Sequence, residues 1–152
     1  MLTSSNYDDN QKKVTGGRNG YGAKLANIFS TKFVIHTADS SNSKIYKQVF
    51  TKNMSKKEDP VITQNFKKED YTCIEFYPDL EKFKMEKLDD DIVNLFTKRA
   101  YDLAGVVNTK VKVWLNNKKI DIKDFDDYVK LYLDNEENKE LPRISENKTD
   151  RW

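Results

Sequence analysis

Residues 14–30 have the sequence VTGGRNGYGAKLANIFS, a glycine-rich segment followed at once by a helical pattern. Four of the five glycines in the chain lie here within seven residues, and the fifth is Gly105. Glycine has no Cβ, so its backbone can adopt positive φ and approach a ligand closely. From Tyr21 onward, apolar residues recur at three- and four-residue spacing, which predicts a helix over 21–30. The segment therefore predicts a flexible turn that opens directly into a helix.

A glycine turn at the start of a helix is well suited to binding phosphate. The N–H groups of the first helical turn have no partners within the helix and lie at the positive end of its dipole. Arg18 and Lys24 add positive charge on either side of the turn, and Asn19 and Tyr21 add polar groups. We interpret the segment as a phosphate-binding loop. The alternative is a glycine turn that binds nothing.

Two familiar phosphate-binding motifs do not match this loop. A Walker A motif needs a glycine-lysine pair followed by a hydroxyl residue, but Ala23 separates Gly22 from the lysine and Leu25 follows it. A Rossmann motif starting at Gly20 would need glycine or alanine where Leu25 stands. The loop must therefore belong to a different class of nucleotide-binding protein, if it binds a nucleotide.

The rest of the chain alternates short strands with helices. Strands are predicted over 32–37, 44–50, 61–65, 71–77 and 109–115, and helices over 89–104 and from Asp124 onward. Gly105 is expected to stop the longer helix, and Asn116-Asn117 to form a hairpin turn. This order predicts an α/β two-layer sandwich, with a mixed, mostly antiparallel sheet and helices on one face. Residues 134–150 have few apolar side chains and are expected to form a polar loop.

Length and composition exclude several classes of protein. The 152 residues fit one domain, and 12% aromatic residues argue against wholesale disorder. No segment approaches the roughly 20 apolar residues that a membrane span requires, so no membrane partner is expected. With one cysteine and one histidine, Cys73 and His36, the chain is not a disulfide scaffold or a Cys-based zinc protein. We expect Cys73 to pack inside a strand and His36 to be structural.

Charge is divided unequally along the chain. Residues 1–68 contain twelve Lys/Arg and five Asp/Glu, a net charge of +7, whereas residues 69–152 have a net charge of −5. A basic first half fits an anionic partner, such as a nucleotide or a nucleic acid. A non-catalytic nucleic-acid-binding α/β module is therefore an alternative hypothesis for the whole chain. Trp114, which has lysines around it, is interpreted as part of an exposed hairpin face.

The residues that surround the glycine loop resemble a known family. Residues 2–9, LTSSNYDD, and 13–30, KVTGGRNGYGAKLANIFS, closely resemble the ATP-binding region of eukaryotic type IIA DNA topoisomerases. That ATPase belongs to the gyrase/histidine-kinase/MutL superfamily. The resemblance continues through residues 69–74, 83–88 and 98–105, and 150–152 are similar to the start of the family's transducer domain.

The resemblance implies a domain assignment and a set of ATP-binding residues. Residues 1–150 would form part of a gyrase-type ATPase domain, with 1–24 as the nucleotide-binding loop and 151–152 as the truncated start of the transducer domain. In the family, the Ser-Ser-Asn segment touches the sugar and phosphates of ATP, the glycine loop wraps the triphosphate, and a strand threonine lines the adenine pocket. The corresponding residues here are Ser4, Ser5, Asn6, Gly17, Arg18, Asn19, Gly20, Tyr21, Gly22, Ala23, Lys24 and Thr72.

The resemblance also implies what lies outside this chain. The family's general base, magnesium-binding asparagine and adenine-binding aspartate precede the position of Met1, and a lysine that reaches the γ-phosphate follows that of Trp152. We therefore expect no catalytic or metal-binding residue here and no ATP hydrolysis by this chain alone. The parent would be a nuclear, homodimeric, ATP- and Mg²⁺-dependent DNA topoisomerase, whose N-gate closes on ATP binding to drive the passage of one DNA duplex through another.

Overall fold

The computed structural model describes residues 8, 10, 17, 19–134, 142, 144 and 146. They belong to two compact units, and the division falls between Glu86 and Lys87. The first unit contains one helix and five strands, and the second contains two helices and a short hairpin. No helix among the described residues is both long enough and apolar enough to cross a bilayer.

The first unit is a five-stranded sheet with one α-helix and one 3₁₀ helix. Its elements in chain order are α1 Tyr21–Ile28, β1 Ser30–Asp39, β2 Lys44–Thr51, β3 Lys56–Lys57, β4 Val61–Gln64, β5 Tyr71–Pro78 and the 3₁₀ helix Leu80–Phe83. The predicted hairpin of the first two strands is confirmed, and their Phe33 and Phe50 lie opposite each other. The predicted strands at 61–65 and 71–77 are also confirmed, to within one residue at each end. Only β3 and the 3₁₀ helix were not expected.

Strand β1 lies at the centre of this sheet. It pairs antiparallel with β2 along one edge and antiparallel with β5 along the other. The outer edge of β2 is shared by β3 and β4, whereas the outer edge of β5 has no partner among the described residues. The buried apolar residues of this unit, Phe33, Val34 and Ala38, all belong to β1. The α/β class is therefore confirmed, and every described strand pairing is antiparallel.

A polar clip closes one end of the sheet. Asp70, just before β5, accepts hydrogen bonds from the backbone N–H and the hydroxyl of Ser40, at 2.7 and 2.6 Å. Ser40 lies in the turn between β1 and β2, so the clip joins that turn to the start of β5. The Ser40 hydroxyl, followed by its N–H, holds the pKa of Asp70 below its usual range, because both hydrogen bonds favour the charged carboxylate.

Helix α1 does not bury its apolar side chains against the sheet. Leu25 is 50% exposed and Ile28 39%. Asn27 is the buried residue of this helix, at 5% exposure. The apolar spacing that predicted the helix therefore does not mark its buried face.

Two minor expectations about the first unit have different outcomes. Cys73 lies in β5 as predicted, but it is exposed and not packed inside the unit. His36 is structural, as expected: its Nε2 atom lies 3.3 Å from the hydroxyl of Tyr71, and the two rings meet edge to face.

The second unit contains α2, α3 and a short hairpin. Its elements are α2 Asp90–Val106, β6 Trp114–Leu115, β7 Lys118–Lys119 and α3 Phe125–Leu133. Asp89 and Asp124 cap the two helices, each accepting a backbone N–H at 2.9 Å from the residue three positions later. Asn116 and Asn117 form the predicted turn, both at positive φ.

The predicted strand over 109–115 is much shorter in the structure. Only Trp114 and Leu115 are in strand conformation. The side chain of Asn108 accepts the backbone N–H of Lys110 at 2.9 Å, and this Asx-type turn competes with an extended backbone. A local side-chain contact therefore overrides the alternating pattern.

Gly105 does not stop α2, contrary to the sequence prediction. The helix continues to Val106, and Gly105 is buried inside it. A Cβ built on Gly105 would lie 2.6 Å from the Cγ atom of Tyr128 in α3. Glycine is therefore required here by the close approach of a ring and not by the end of the helix.

The ring of Tyr128 also carries a hydrogen-bond network between α2 and α3. Asp102 accepts the Tyr128 hydroxyl at 2.5 Å and the ammonium group of Lys98 at 2.8 Å. The Lys98 contact, followed by that of Tyr128, lowers the pKa of Asp102, and the contact with Asp102 raises the pKa of Tyr128. The network fixes α3 against α2 on the side where Gly105 allows close approach.

We expect Gly105→Ala to destabilise the chain by about 1–3 kcal/mol, because the added methyl group must displace the ring of Tyr128. Urea unfolding measures the change. Gly22→Ala is the matched control: it is also a helical glycine, but a Cβ there meets nothing within 4 Å. That variant should be as stable as the parent or slightly more so. Equal effects of the two substitutions would contradict the packing argument.

We also expect the contribution of Asp102 to stability to depend on pH. Its folded pKa is lowered, so the contribution is present above the unfolded value of about 3.9 and is lost as pH falls through the folded value. Thermal midpoints of the parent chain and of Asp102→Asn should differ at neutral pH and converge as the pH falls through the folded pKa of Asp102. A difference that stays constant across this range would show that ionisation of Asp102 is not involved.

Candidate nucleotide-binding loop

The structure describes part of the predicted ATP-binding set. Gly17, Asn19, Gly20, Tyr21, Gly22, Ala23, Lys24 and Thr72 are described, whereas Ser4, Ser5, Asn6 and Arg18 lie outside the described residues. All but one of the described members are close together in sequence, at the start of α1. The exception is Thr72, which lies in β5.

The glycines of the loop have the backbone conformations that the sequence predicts. Gly17 has φ 77° and Gly20 has φ 67°, both in the left-handed region that favours glycine. Gly20 occupies the N-cap position of α1 and, as a glycine, has no side chain that could accept a hydrogen bond from the first turn. The chain thus enters α1 through a residue that cannot cap the helix with a side chain.

The first turn of α1 carries no negative charge of its own. It contains no acidic residue, so no carboxylate from this turn competes with an anion for the positive end of the helix dipole. Gly22 is exposed, and a Cβ there or at Gly17 would meet no atom within 4 Å. Lys24 is half-buried in the first turn of the helix and adds a positive charge to this segment. The arrangement provides both space and positive potential for a phosphate group.

Thr72 has a different position from the loop residues. It pairs with Thr37, towards the end of β1 that is remote from α1, and it is exposed. The other end of β1, at Ser30, directly follows α1. Thr72 therefore lies in the sheet that follows α1, beside the end of β1 that is farther from the helix.

Sequence reasoning missed three polar residues around α1. Asn53 and Asp79 contact the C-terminal end of the helix, although both are more than 20 positions away in the chain. Asn27 is buried, and its Oδ1 atom has no hydrogen-bond partner among the residues that the structure describes. The only sequence signal was an asparagine within an otherwise helical apolar segment. Among the described residues, no group of three or more His, Cys, Asp or Glu could hold a metal ion.

Comparison with known proteins identifies the family to which this site belongs. No family model matches the chain. The chain is 58% identical to DNA topoisomerase 2 of Arabidopsis thaliana and 54% identical to the probable DNA topoisomerase 2 of Dictyostelium discoideum, over its whole length in both cases. The chain belongs to the eukaryotic DNA topoisomerase 2 family. It spans only about a tenth of the length of these curated relatives, 11% and 10% respectively.

Solved structures locate the resemblance within topoisomerase II. The crystal structure of the ATPase region of Saccharomyces cerevisiae topoisomerase II matches with a TM-score of 0.83 and 51% sequence identity. The ATPase and transducer domains of DNA topoisomerase II from Balamuthia mandrillaris match with a TM-score of 0.81 and 44% identity. Each match covers 88% of this chain and 35% of the other. The fold expected from the family resemblance is therefore confirmed.

The conformation of Gly20 leads to a test of the loop. Gly20→Val should destabilise the chain by about 1–2 kcal/mol, because a side chain with a Cβ is strained in the left-handed region. Gly20→Asn is the matched variant, since asparagine tolerates that region and is a favourable N-cap. It should remain within about 0.5 kcal/mol of the parent in urea unfolding. Equal stability of the two variants would contradict the conformation assigned to Gly20.

Proposed function

We propose that this chain supplies the triphosphate-binding part of the ATPase region of a type II DNA topoisomerase. The observation that carries the proposal is the glycine loop at α1. Two glycines at positive φ lead into a helix whose first turn has no acidic residue. This loop belongs to a chain that is 51% identical to the ATPase region of the yeast enzyme.

Each part of the loop would contact a different part of the nucleotide. Backbone N–H groups at the start of α1 donate to phosphate oxygens, and the helix dipole adds to their attraction. The ammonium group of Lys24 and the guanidinium group of Arg18 neutralise the remaining charge with charge-assisted hydrogen bonds. Asn19 and Tyr21 orient the ligand with polar groups, as do Ser4, Ser5 and Asn6 at the sugar and phosphates. Thr72 would line the adenine pocket.

We assign the chemistry of hydrolysis to other parts of the parent protein. Bound ATP with magnesium supplies the phosphoanhydride bond that is cleaved. On the family resemblance, the general base, the magnesium ligand and the lysine that reaches the γ-phosphate come from segments on either side of this one. Residues 1–150 would then be a part of the ATPase domain, and 151–152 the start of the transducer domain. This chain binds and positions the triphosphate without cleaving it.

The activity of the whole protein follows from the same assignment. We propose that ATP binding closes an N-gate between two protomers in the nucleus, and that the cycle of binding and hydrolysis drives the passage of one DNA duplex through another. The support is the name of the relatives, DNA topoisomerase 2, of which this chain spans about a tenth.

We expect the 152-residue chain to bind a non-hydrolysable ATP analogue, AMP-PNP with magnesium, saturably in a calorimetric titration. Lys24→Ala should weaken binding about 10- to 100-fold, because a charge-assisted hydrogen bond contributes about 1.5–3 kcal/mol. Gly22→Val should also weaken it, since the side chain would fill the open space beside the loop. Lys56→Ala is the control, because Lys56 is an exposed lysine of β3 outside the loop. Unchanged affinity in Gly22→Val would contradict the phosphate cradle.

The alternative hypothesis, a nucleic-acid-binding module, gives the opposite pattern. The structure retains one feature that favours it: Trp114 is 61% exposed and pairs with Lys119 in a lysine-rich hairpin. Binding of a DNA duplex through phosphates would weaken steeply with salt and would not depend on Lys24. Salt-sensitive DNA binding without AMP-PNP binding would replace the nucleotide proposal with this one.

A further inference from the structure

The C-terminal end of α1 is held by the side chain of Asn53 and the backbone N–H of Asp79, which come from distant parts of the first unit. The amide nitrogen of Asn53 donates to the backbone oxygen of Ile28 at 2.9 Å and to the Asp79 carboxylate at 2.8 Å. The backbone N–H of Asp79 in turn donates to the oxygen of Phe29 at 2.8 Å. The last carbonyl groups of a helix lack partners within it, and here Asn53 and Asp79 provide them. We call Asn53 and Asp79 the α1 clamp.

The clamp is rigid because each of its residues is also held by the sheet. Asn53 follows β2, and its backbone N–H donates to Ser30 at the start of β1, at 3.2 Å. The preceding N–H, of Lys52, donates to Thr31 at 3.0 Å. Asn53 itself has φ 56°, which directs its side chain back towards the helix within a tight turn. Asp79 immediately follows β5, which pairs with β1.

The Asn53 amide also reduces electrostatic repulsion between two acceptors, the Asp79 carboxylate and the Ile28 carbonyl. The Asp79 carboxylate lies near the negative end of the α1 dipole, where an anion is unfavourable. One donor group placed between the carboxylate and the Ile28 carbonyl compensates both acceptors at once. Without that amide, two acceptors would face each other across the end of the helix.

We propose that Asn53 and Asp79 are positioning residues for the nucleotide-binding loop; this inference rests on the proposed function. The loop enters α1 at Gly20, and the clamp holds the other end of the same helix. An eight-residue helix is about 12 Å long, so a tilt of about 10° at its end moves the first-turn amides by about 2 Å. A displacement of that size is sufficient to spoil the alignment of donors with phosphate oxygens.

Aromatic packing supports the clamp at the same end of the helix. The ring of Phe29 lies 5.4 Å from that of Phe83. Elsewhere on the helix, Leu25 and Ile28 are half or more than a third exposed, and the buried residue of α1 is the polar Asn27. Hydrogen bonds from Asn53 and Asp79 therefore contribute to the orientation of the helix together with this ring contact.

The test uses the full 152-residue chain with AMP-PNP and magnesium. Asn53→Gly removes the amide but keeps the positive φ, and it should weaken nucleotide binding about 5- to 20-fold. Asp79→Ala removes only the acceptor that holds the Asn53 amide and keeps the backbone hydrogen bond to Phe29, so it should weaken binding less than Asn53→Gly does. Asp79→Asn keeps an acceptor oxygen and should bind within about twofold of the parent. Asn117→Gly is the matched control, because it is the same substitution at positive φ in the turn of the other unit. That variant should bind like the parent.

Hydrogen exchange separates positioning from a general loss of stability. In Asn53→Gly, amide exchange should accelerate in residues 25–29 while the amides of β1 remain protected. If the parent binds and Asn53→Gly binds equally well, the positioning role is wrong although the proposed function stands. Unchanged exchange in α1 would also overturn it. If the parent chain does not bind AMP-PNP, the proposed function fails together with this inference.

Discussion

The first unit depends on one strand that is hydrogen-bonded along both edges. β1 pairs with β2 on one side and with β5 on the other, and its Phe33, Val34 and Ala38 form the buried apolar centre. Because β1 directly follows α1, the start of the strand fixes the position of the C-terminal end of the helix. Hydrogen bonds between side chains hold each end of this sheet. Ser40 bonds to Asp70 at one end of β1, and Asn53 bonds to Asp79 at the other.

The two ends of α1 therefore differ in a way that suits binding. At the C-terminal end, backbone oxygens receive donors from Asn53 and Asp79. At the N-terminal end, Gly20 leaves the first turn without a side-chain cap, and the first turn carries no acid. The clamp therefore acts at the end of the helix that meets the sheet, and the proposed triphosphate site lies at the other end.

Much of this arrangement follows from local sequence signals. The glycine loop, the helix from Tyr21, the first hairpin and the two aspartate caps depend on neighbours within a few positions, and a periodic pattern or a capping residue reveals them. The inner face of α1 could not be obtained in this way. Its orientation depends on Asn53 and Asp79, whose contacts with the helix span more than 20 positions of sequence.

The role of Gly105 in the second unit also depends on a residue that is distant in sequence. A glycine near the end of a predicted helix usually indicates a stop. Here it permits the ring of Tyr128 to approach, and nothing within a few residues of Gly105 announces that contact. The glycine loop was interpreted as phosphate-binding from its glycines, its flanking cations and the helix start, whereas the set of ATP-binding residues was assigned from the resemblance to a family.

The outer edge of β5 has a consequence for the behaviour of the chain in solution. Tyr71–Pro78 pairs with β1 on one side only among the described residues, so alternate backbone groups on the other side are available to any extended segment that approaches. Negative charges at Asp70 and Asp79 flank the strand, and a second strand of the same sequence would bring like charges together. These flanking charges oppose edge-to-edge pairing of β5 strands from two copies of the chain.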